Sequence, residues 1–172
     1  TEIAVYKNNK PSLLKSFPLG SVTLTERFLK PGKKITTEDN ISELYQHIKG
    51  ELKDVVEEGL AVSKPKDDDV ILDIGGNDGT MLSYIKQEVG HKVNIDAAHG
   101  IDSVDVSGNY TKIQGLFNKE TYERIGIKKP KLIFSVAMFY HLNNPLDFCN
   151  DMASIMDDDS VWVVQMTYLG SM

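Results

Sequence analysis

The sequence predicts an α/β fold in which helices cover both faces of a doubly wound parallel sheet of about five strands. Short apolar runs that are typical of strands occur at 70–74, 91–96, 110–117, 131–139 and 160–166. Segments with helical spacing of apolar residues lie between them at 80–89, 118–126 and 144–156. The remaining connection, 97–109, contains two glycines and two β-branched valines, so we expect a loop or a shortened helix there.

A long amphipathic helix is predicted before the first of these strands. Apolar residues between Ile41 and Leu60 recur at the three- and four-residue steps of one helix face. Thr36 or Thr37 can cap its start, and Gly59 with the charged run at 64–69 marks its end. Residues 1–35 have weak periodicity, so we expect an irregular lead segment that could include one short strand. A single domain is expected over residues 36–172.

Charge and composition argue against several classes of protein. The net charge is −6 and no dense Lys/Arg cluster occurs, so a nucleic-acid partner is not expected. No run reaches the roughly 18 apolar residues that a membrane span needs, and no signal-peptide pattern opens the sequence. The single cysteine, Cys149, excludes an intrachain disulfide. We therefore expect a cytoplasmic protein without membrane contact.

The stretch VILDIGGNDGTML, residues 70–82, is the most informative part of the sequence. Parallel sheets bind ligands outside the carboxyl ends of their strands, and glycines there let a ligand approach the backbone. A dinucleotide site would need the pattern G-x-G-x-x-G. Counting from Gly75, the required positions hold Asn77 and Thr80 instead, and counting from Gly76 also fails. The glycine spacing therefore argues against a nicotinamide-dependent enzyme.

The loop contains the pattern D-x-G-x-N-D-G, with a further glycine inside it. Its residues are Asp73, Gly75, Gly76, Asn77, Asp78 and Gly79. This pattern resembles motif I of the class I S-adenosylmethionine-dependent methyltransferases, and its DIG-x-NDGT form resembles the C-methyltransferases of nucleotide-linked deoxysugars. The resemblance implies a Rossmann-like fold, S-adenosyl-L-methionine as cofactor, and contact of these residues with its amino-acid part. The cofactor is cationic and has no phosphate, which suits a loop that contains acids.

A second acid is expected to bind the ribose of the cofactor. Asp96 ends the second predicted strand, 23 residues after Asp73, and such an acid can accept hydrogen bonds from ribose hydroxyls. Asp102 and Asp105, in the segment GIDSVD, are competing candidates. The spacing favours Asp96.

The resemblance also implies roles for residues after the third and fourth strands. Phe117 would cover the adenine ring, and Ser135 would lie beside the methionine moiety. His141 falls on a histidine of the family, and with Tyr140 it is a candidate for acid–base catalysis. The alternatives are an ordinary core aromatic for Phe117 and a loop-fixing hydrogen bond for His141. His47, His91 and His99 lack metal-ligand spacing, so no metal is expected.

The sequence departs from the resembling family at both ends. The stretch at 17–31 is similar to one that follows a Cys-rich zinc module in that family, but one cysteine cannot form such a site. The class I fold has seven strands, of which the last two form an antiparallel pair, and about five are predicted here. We therefore expect a fragment that lacks those two strands. The fifth strand would then present an open edge through which copies of the chain could associate.

These observations favour an S-adenosylmethionine-dependent methyltransferase with a small-molecule acceptor. C-methylation of a nucleotide-linked sugar is the specific reaction that the resemblance suggests. The alternative is a methyltransferase-like binding module without catalytic activity.

Overall fold

The computed structural model describes residues 2–7, 10–16 and 38–166, with the side chains of residues 41–165. The strands are β1 Glu2–Lys7, β2 Lys10–Ser16, β3 Val70–Ile74, β4 His91–Asp96, β5 Tyr110–Gln114, β6 Leu132–Val136 and β7 Val161–Met166. They form one seven-stranded sheet in the order β2-β1-β7-β6-β3-β4-β5. Strands β3 to β7 pair in parallel, which confirms the predicted five-stranded parallel sheet.

Helices connect the parallel strands, except between β4 and β5. The helices of the described residues are α1 Glu38–Ser63, α2 Thr80–Ser83, α3 Lys119–Glu123 and α4 Pro145–Ile155, with a 3₁₀ turn at Phe139–His141. The side chain of Asn118 caps α3 by accepting a hydrogen bond from the backbone N–H of Thr121 at 2.8 Å. Asn144 holds the same position before α4, and Pro145 occupies its first turn.

Two apolar cores lie on opposite faces of the sheet. Val55 of α1 and Leu82 of α2 belong to one core, and Met152 of α4 belongs to the other. Consecutive residues of β6 serve both, since Phe134 packs into the first core and Ile133 into the second. Both of these side chains are fully buried. Burial on both faces explains why the parallel strands read as continuous apolar runs rather than as alternating ones.

Several predicted elements are confirmed with changed bounds. The helix predicted to end near Gly59 continues to Ser63. Gly59 lies inside this helix rather than at its end. A Cβ at this position would come within 2.9 Å of Phe134, so the glycine allows the helix to pack closely on the sheet. The helix predicted at 80–89 is reduced to Thr80–Ser83, although Ile85 beyond it is still fully buried. The connection at 97–109 contains no helix, as predicted.

The N-terminal residues differ from the prediction of an irregular lead segment over 1–35. Strand β1 pairs antiparallel with β2 on one side and with β7 on the other. Residues 3–6 of β1, Ile-Ala-Val-Tyr, are a short apolar run that is compatible with a strand. Pro11 lies in β2 at the edge of the sheet, where a missing N–H is tolerated. The candidate caps Thr36 and Thr37 and the stretch at 17–31 lie outside the described residues.

This pairing also corrects the expected open edge. The fifth parallel strand, β7, pairs along its whole length with β1, from Glu2 opposite Met166 to Lys7 opposite Val161. An antiparallel strand from the other end of the chain therefore occupies the position predicted to be unpaired. Among the described residues, no helix is both long enough and apolar enough to cross a membrane.

Candidate functional site

The glycine-rich loop lies at the carboxyl end of β3, between β3 and α2. The backbone has positive φ at Gly75 (76°), Asn77 (51°) and Gly79 (89°). Glycine adopts such angles without strain, and asparagine tolerates them better than most residues. The N–H of Gly79 donates to the carbonyl of Gly76 at 2.8 Å, and Asp78 accepts from the N–H of Thr80 at 2.9 Å. These bonds hold the loop in a compact turn at the edge where parallel sheets bind ligands.

Gly76 lies directly over two buried side-chain oxygens. A Cβ at this position would come within 3.0 Å of both Asp73 Oδ2 and Asn94 Oδ1. The contact is too close for any side chain, so the loop depends on a glycine here for space. Asp73 and Asn94 thus form the floor of the loop.

Asp73 is the acid of the site whose pKa departs most clearly from its usual value. It is 1% exposed, and none of the residues described in the structure forms a hydrogen bond with its Oδ2. Burial raises the pKa of Asp73 from 3.8 to about 7, with smaller contributions from the nearby carboxylates of Asp96 and Asp78. A buried acid without a partner beneath an open loop is suited to interact with a cation above it.

Asp96 lies at the end of β4 and contacts the glycine loop. Its Oδ2 accepts from the N–H of Asn77 at 2.8 Å, and its Oδ1 accepts from the N–H of Ala98 at 2.6 Å. The competing acids Asp102 and Asp105 are both exposed, in the connection that follows. The structure therefore brings Asp96 to the loop by direct contact, and the role of Asp96 toward a ribose stays a prediction.

Asn94 was missed by the sequence analysis. It is fully buried in β4, and its Nδ2 donates to the carbonyl of Asn77 at 3.1 Å and approaches the Tyr110 hydroxyl at 3.4 Å. Lys92, two residues earlier on the same face of β4, is also buried. Two polar residues at alternate positions of a buried parallel strand were the signal that could have found this network.

The connection at 97–109 packs against the glycine loop. The N–H of Val104 donates to the carbonyl of Asp78 at 2.9 Å, and Val106 is buried in the core beneath α2. Lys92 anchors the connection, because its Nζ donates to the carbonyls of Ser107 at 2.9 Å and Ile85 at 2.7 Å. The connection forms one wall of the loop without a helix.

Phe117 and Ser135 both contact an aromatic cluster in the second core. The Phe117 ring meets Phe148 edge to face, with centroids 5.3 Å apart. Ser135 is fully buried, and its Oγ accepts a hydrogen bond from Nε1 of Trp162 at 2.8 Å. These contacts explain the positions of both side chains as parts of the core. Their proposed contacts with the cofactor stay predictions.

Tyr140 and His141 lie in the 3₁₀ turn after β6. Their rings are 4.4 Å apart between centroids, and both side chains are exposed. Met138, just before the turn, packs on the glycine loop, since a Cβ at Gly75 would come 3.0 Å from Met138 Cβ. The 3₁₀ turn therefore begins next to a residue that contacts the glycine loop. The catalytic roles of Tyr140 and His141 stay predictions. No metal-binding group of three or more His, Cys, Asp or Glu occurs within the described residues.

The comparison with protein families identifies this arrangement. A family profile described as a methyltransferase domain matches residues 45–171, which include the glycine loop and the strands β3 to β7. The chain belongs to this methyltransferase domain family. Membership makes S-adenosyl-L-methionine its cofactor, and the chemistry of the glycine loop fits a cationic, phosphate-free nucleoside.

A solved structure supports the same fold. The chain resembles the plantazolicin methyltransferase BamL, whose crystal structure is a complex with a triazolic desmethylPZN analog and SAH, with a TM-score of 0.51 and 18% identity. The match covers 80% of this chain and 52% of BamL, so the chain spans about half the length of that enzyme. No curated protein matches this sequence.

Proposed function

We propose that this methyltransferase domain transfers a methyl group from S-adenosyl-L-methionine to a small-molecule acceptor. The observation that carries the proposal is the contact between Asp96 and the glycine loop above Asp73. Through this contact, two acids and the backbone of the glycine loop lie together at the carboxyl ends of β3 and β4, where a nucleoside with a cationic tail would bind.

Each residue of this group has a distinct role in the proposal. Asp96, held by the N–H groups of Asn77 and Ala98, keeps acceptor capacity for ribose hydroxyls because each carboxylate oxygen has more than one lone-pair direction. Gly76 lets the loop lie close over Asp73 and Asn94, and its backbone would contact the methionine moiety. Asp73, buried below the loop, provides the negative charge that favours a cation.

Methyl transfer mainly requires that the two reactants are aligned. The bound cofactor supplies an electrophilic methyl group on a sulfonium, and the acceptor must supply an electron pair. Tyr140 and His141 are the proposed acid–base groups. Both side chains are exposed, and both residues closely follow Met138, which contacts the glycine loop. One of them would take the proton that the acceptor loses.

Two lines support a small-molecule acceptor. BamL, a structural relative, was solved in complex with a triazolic desmethylPZN analog and SAH. The DIG-x-NDGT form of the loop resembles that of sugar C-methyltransferases, so C-methylation of a nucleotide-linked sugar is the specific reaction that we propose to test first.

Calorimetric titration with S-adenosyl-L-methionine tests the cofactor site. We expect Asp96→Asn to weaken binding about tenfold or more, because it removes the charge from a hydrogen-bond acceptor of the ribose. Asp102→Asn is the matched control, since it removes the same charge from an exposed position nearby. Equal effects of the two substitutions would contradict the proposed role of Asp96.

A binding module without activity is the second candidate. The observation in its favour is that Tyr140 and His141, the proposed acid–base groups, are both exposed on the 3₁₀ turn, whereas acid–base chemistry usually takes place in a site that is shielded from water. Incubation with methyl-labelled cofactor and a panel of nucleotide-linked sugars separates the candidates. Tight cofactor binding without label transfer to any acceptor favours the binding module.

A further inference from the structure

Two buried oxygens share the space beneath the glycine loop. Asp73 Oδ2 and Asn94 Oδ1 both lie within 3.0 Å of the point where a Cβ of Gly76 would be. Asp73 is 1% exposed and Asn94 is fully buried. Neither oxygen has a hydrogen-bond partner among the residues that the structure describes. Two unpaired acceptors in one buried space repel each other unless one of them carries a proton.

The orientation of the Asn94 amide decides which oxygen carries it. Nδ2 of Asn94 donates to the carbonyl of Asn77 at 3.1 Å and lies 3.4 Å from the Tyr110 hydroxyl. A flipped amide would place Oδ1 against the Asn77 carbonyl and lose this bond. In this orientation Oδ1 faces the space below Gly76, where an amide oxygen can only accept. The proton belongs on Asp73.

The charges around Asp73 also favour its neutral form. Asp78 in the loop and Asp96 at the end of β4 are the charged groups that act on it, and both are acids. Together with burial they raise the pKa of Asp73 to about 7. The cofactor carries a sulfonium, an ammonium and a carboxylate, so it adds a net positive charge beside a carboxyl whose charged neighbours, within the described part of the chain, are Asp78 and Asp96.

We propose that the Asp73 carboxyl is protonated and donates to Oδ1 of Asn94 while the cofactor site is empty. Cofactor binding then releases this proton to solvent. The O–H bond of the Asp73 carboxyl breaks, and the resulting carboxylate balances the incoming positive charge. Asn94 is a positioning residue, since it holds the protonated carboxyl from below and the loop through Asn77. This inference rests on the proposed cofactor site.

Proton release makes cofactor affinity depend on pH in a defined direction. Below about pH 7 the empty protein holds the proton and must lose it to bind, so binding is opposed by acid. Above that pH the proton is already absent. The dissociation constant for S-adenosyl-L-methionine is therefore expected to rise about tenfold from pH 8 to pH 6.

Titration calorimetry in two buffers with different ionisation enthalpies measures the released protons directly. The wild-type protein is expected to release close to one proton per cofactor at pH 6 and almost none at pH 8. Asp73→Asn cannot ionise, so its weaker binding should show neither proton release nor pH dependence. Glu88→Gln is the matched control, because it removes an exposed carboxylate outside the loop and should keep both.

Asn94→Ala tests the positioning role. Water can enter the polar space that the amide leaves, which favours the Asp73 carboxylate in the empty protein. We expect weaker binding at every pH and fewer protons released at pH 6 than in wild type. A merely structural role would weaken binding and leave the proton count unchanged, and that result would remove Asn94 from the inference.

The outcomes separate this inference from the proposed function. Cofactor binding with a flat pH profile and no proton release would overturn the inference and leave the function standing. Absence of binding at every pH would overturn both, because no cation could then take the place of the proton. Methylthioadenosine, which lacks the sulfonium and the amino-acid group, should bind without proton release, and equal release with this neutral probe would contradict the role of the cation.

Discussion

At the scale of single residues, the acids of the loop differ because of their surroundings. Asp73 lies one residue before the end of β3, and Asp96 ends β4. Asp73 is buried and its Oδ2 has no partner in the described part of the chain, whereas Asp96 accepts two backbone hydrogen bonds. The glycine motif identified Asp73, and the spacing and the predicted strand end identified Asp96, because an acid after an apolar run is visible in the sequence. Asn94 was not identified, since its importance depends on Gly76 lying above it, and that contact joins residues 18 positions apart.

The buried carboxyl of Asp73 should make the stability of the cofactor-free protein fall as pH rises. Its pKa is raised from 3.8 to about 7 on folding, so between these values the folded state binds the proton that the unfolded state has lost. Asp73→Asn removes this effect. From pH 5 to pH 8, the free energy of unfolding of wild type should therefore fall by about 3 kcal/mol more than that of Asp73→Asn. Urea denaturation at the two pH values measures the difference.

The same experiment has a clear contrary outcome. If the stabilities of wild type and Asp73→Asn change in parallel from pH 5 to pH 8, Asp73 is already ionised in the folded protein. Glu88→Gln serves as the control for the loss of a carboxylate, and its stability should follow that of wild type.

At the scale of elements, the connection between β4 and β5 shows how a wall of the site forms without a helix. Two glycines and alternating valines predicted the loop correctly. Its position was not predictable, because Lys92 and the carbonyl of Asp78 hold it from other parts of the chain. A lysine in a strand reads as an exposed residue, and only packing shows that this one is 2% exposed.

Removal of the Lys92 ammonium should loosen this connection. Lys92→Met keeps most of the side-chain volume but leaves the carbonyls of Ile85 and Ser107 without their donor. We expect a loss of about 1–3 kcal/mol in the free energy of unfolding and faster amide exchange at Val104. Lys86→Met, at an exposed lysine that binds the carbonyl of Ser83, is the control. Unchanged exchange at Val104 in Lys92→Met would show that the tether is dispensable.

At the scale of the whole molecule, the sheet is completed by residues from both ends of the sequence. Strand β1 lies between β7 and β2, antiparallel to both. The five parallel strands were predictable because each is a local apolar run next to a helical one. The pairing of β1 with β7 was not, since it joins Ala4 to Val164 and local patterns do not encode so distant a contact.

Disruption of β1 should expose the edge of β7. Ala4→Pro removes a backbone donor from a strand paired on both sides, where proline is not tolerated. We expect a loss of about 3 kcal/mol or more in stability and self-association through the exposed edge. Chemical denaturation and light scattering measure the two effects, with Ala4→Ser as the control. A stable monomeric Ala4→Pro protein would show that β1 is not needed to protect β7.

The sequence by itself determined the five parallel strands, the loop from Gly75 to Gly79 and its acid Asp73. These features depend on residue order over short stretches, where periodicity, glycine spacing and strand ends are directly visible. Tertiary structure decided that β1 covers β7, that Lys92 holds the wall of the site and that Asn94 faces Asp73 beneath Gly76. Each of these is a contact between distant residues, and its energy arises from burial and hydrogen bonding that exist only once the sheet has formed.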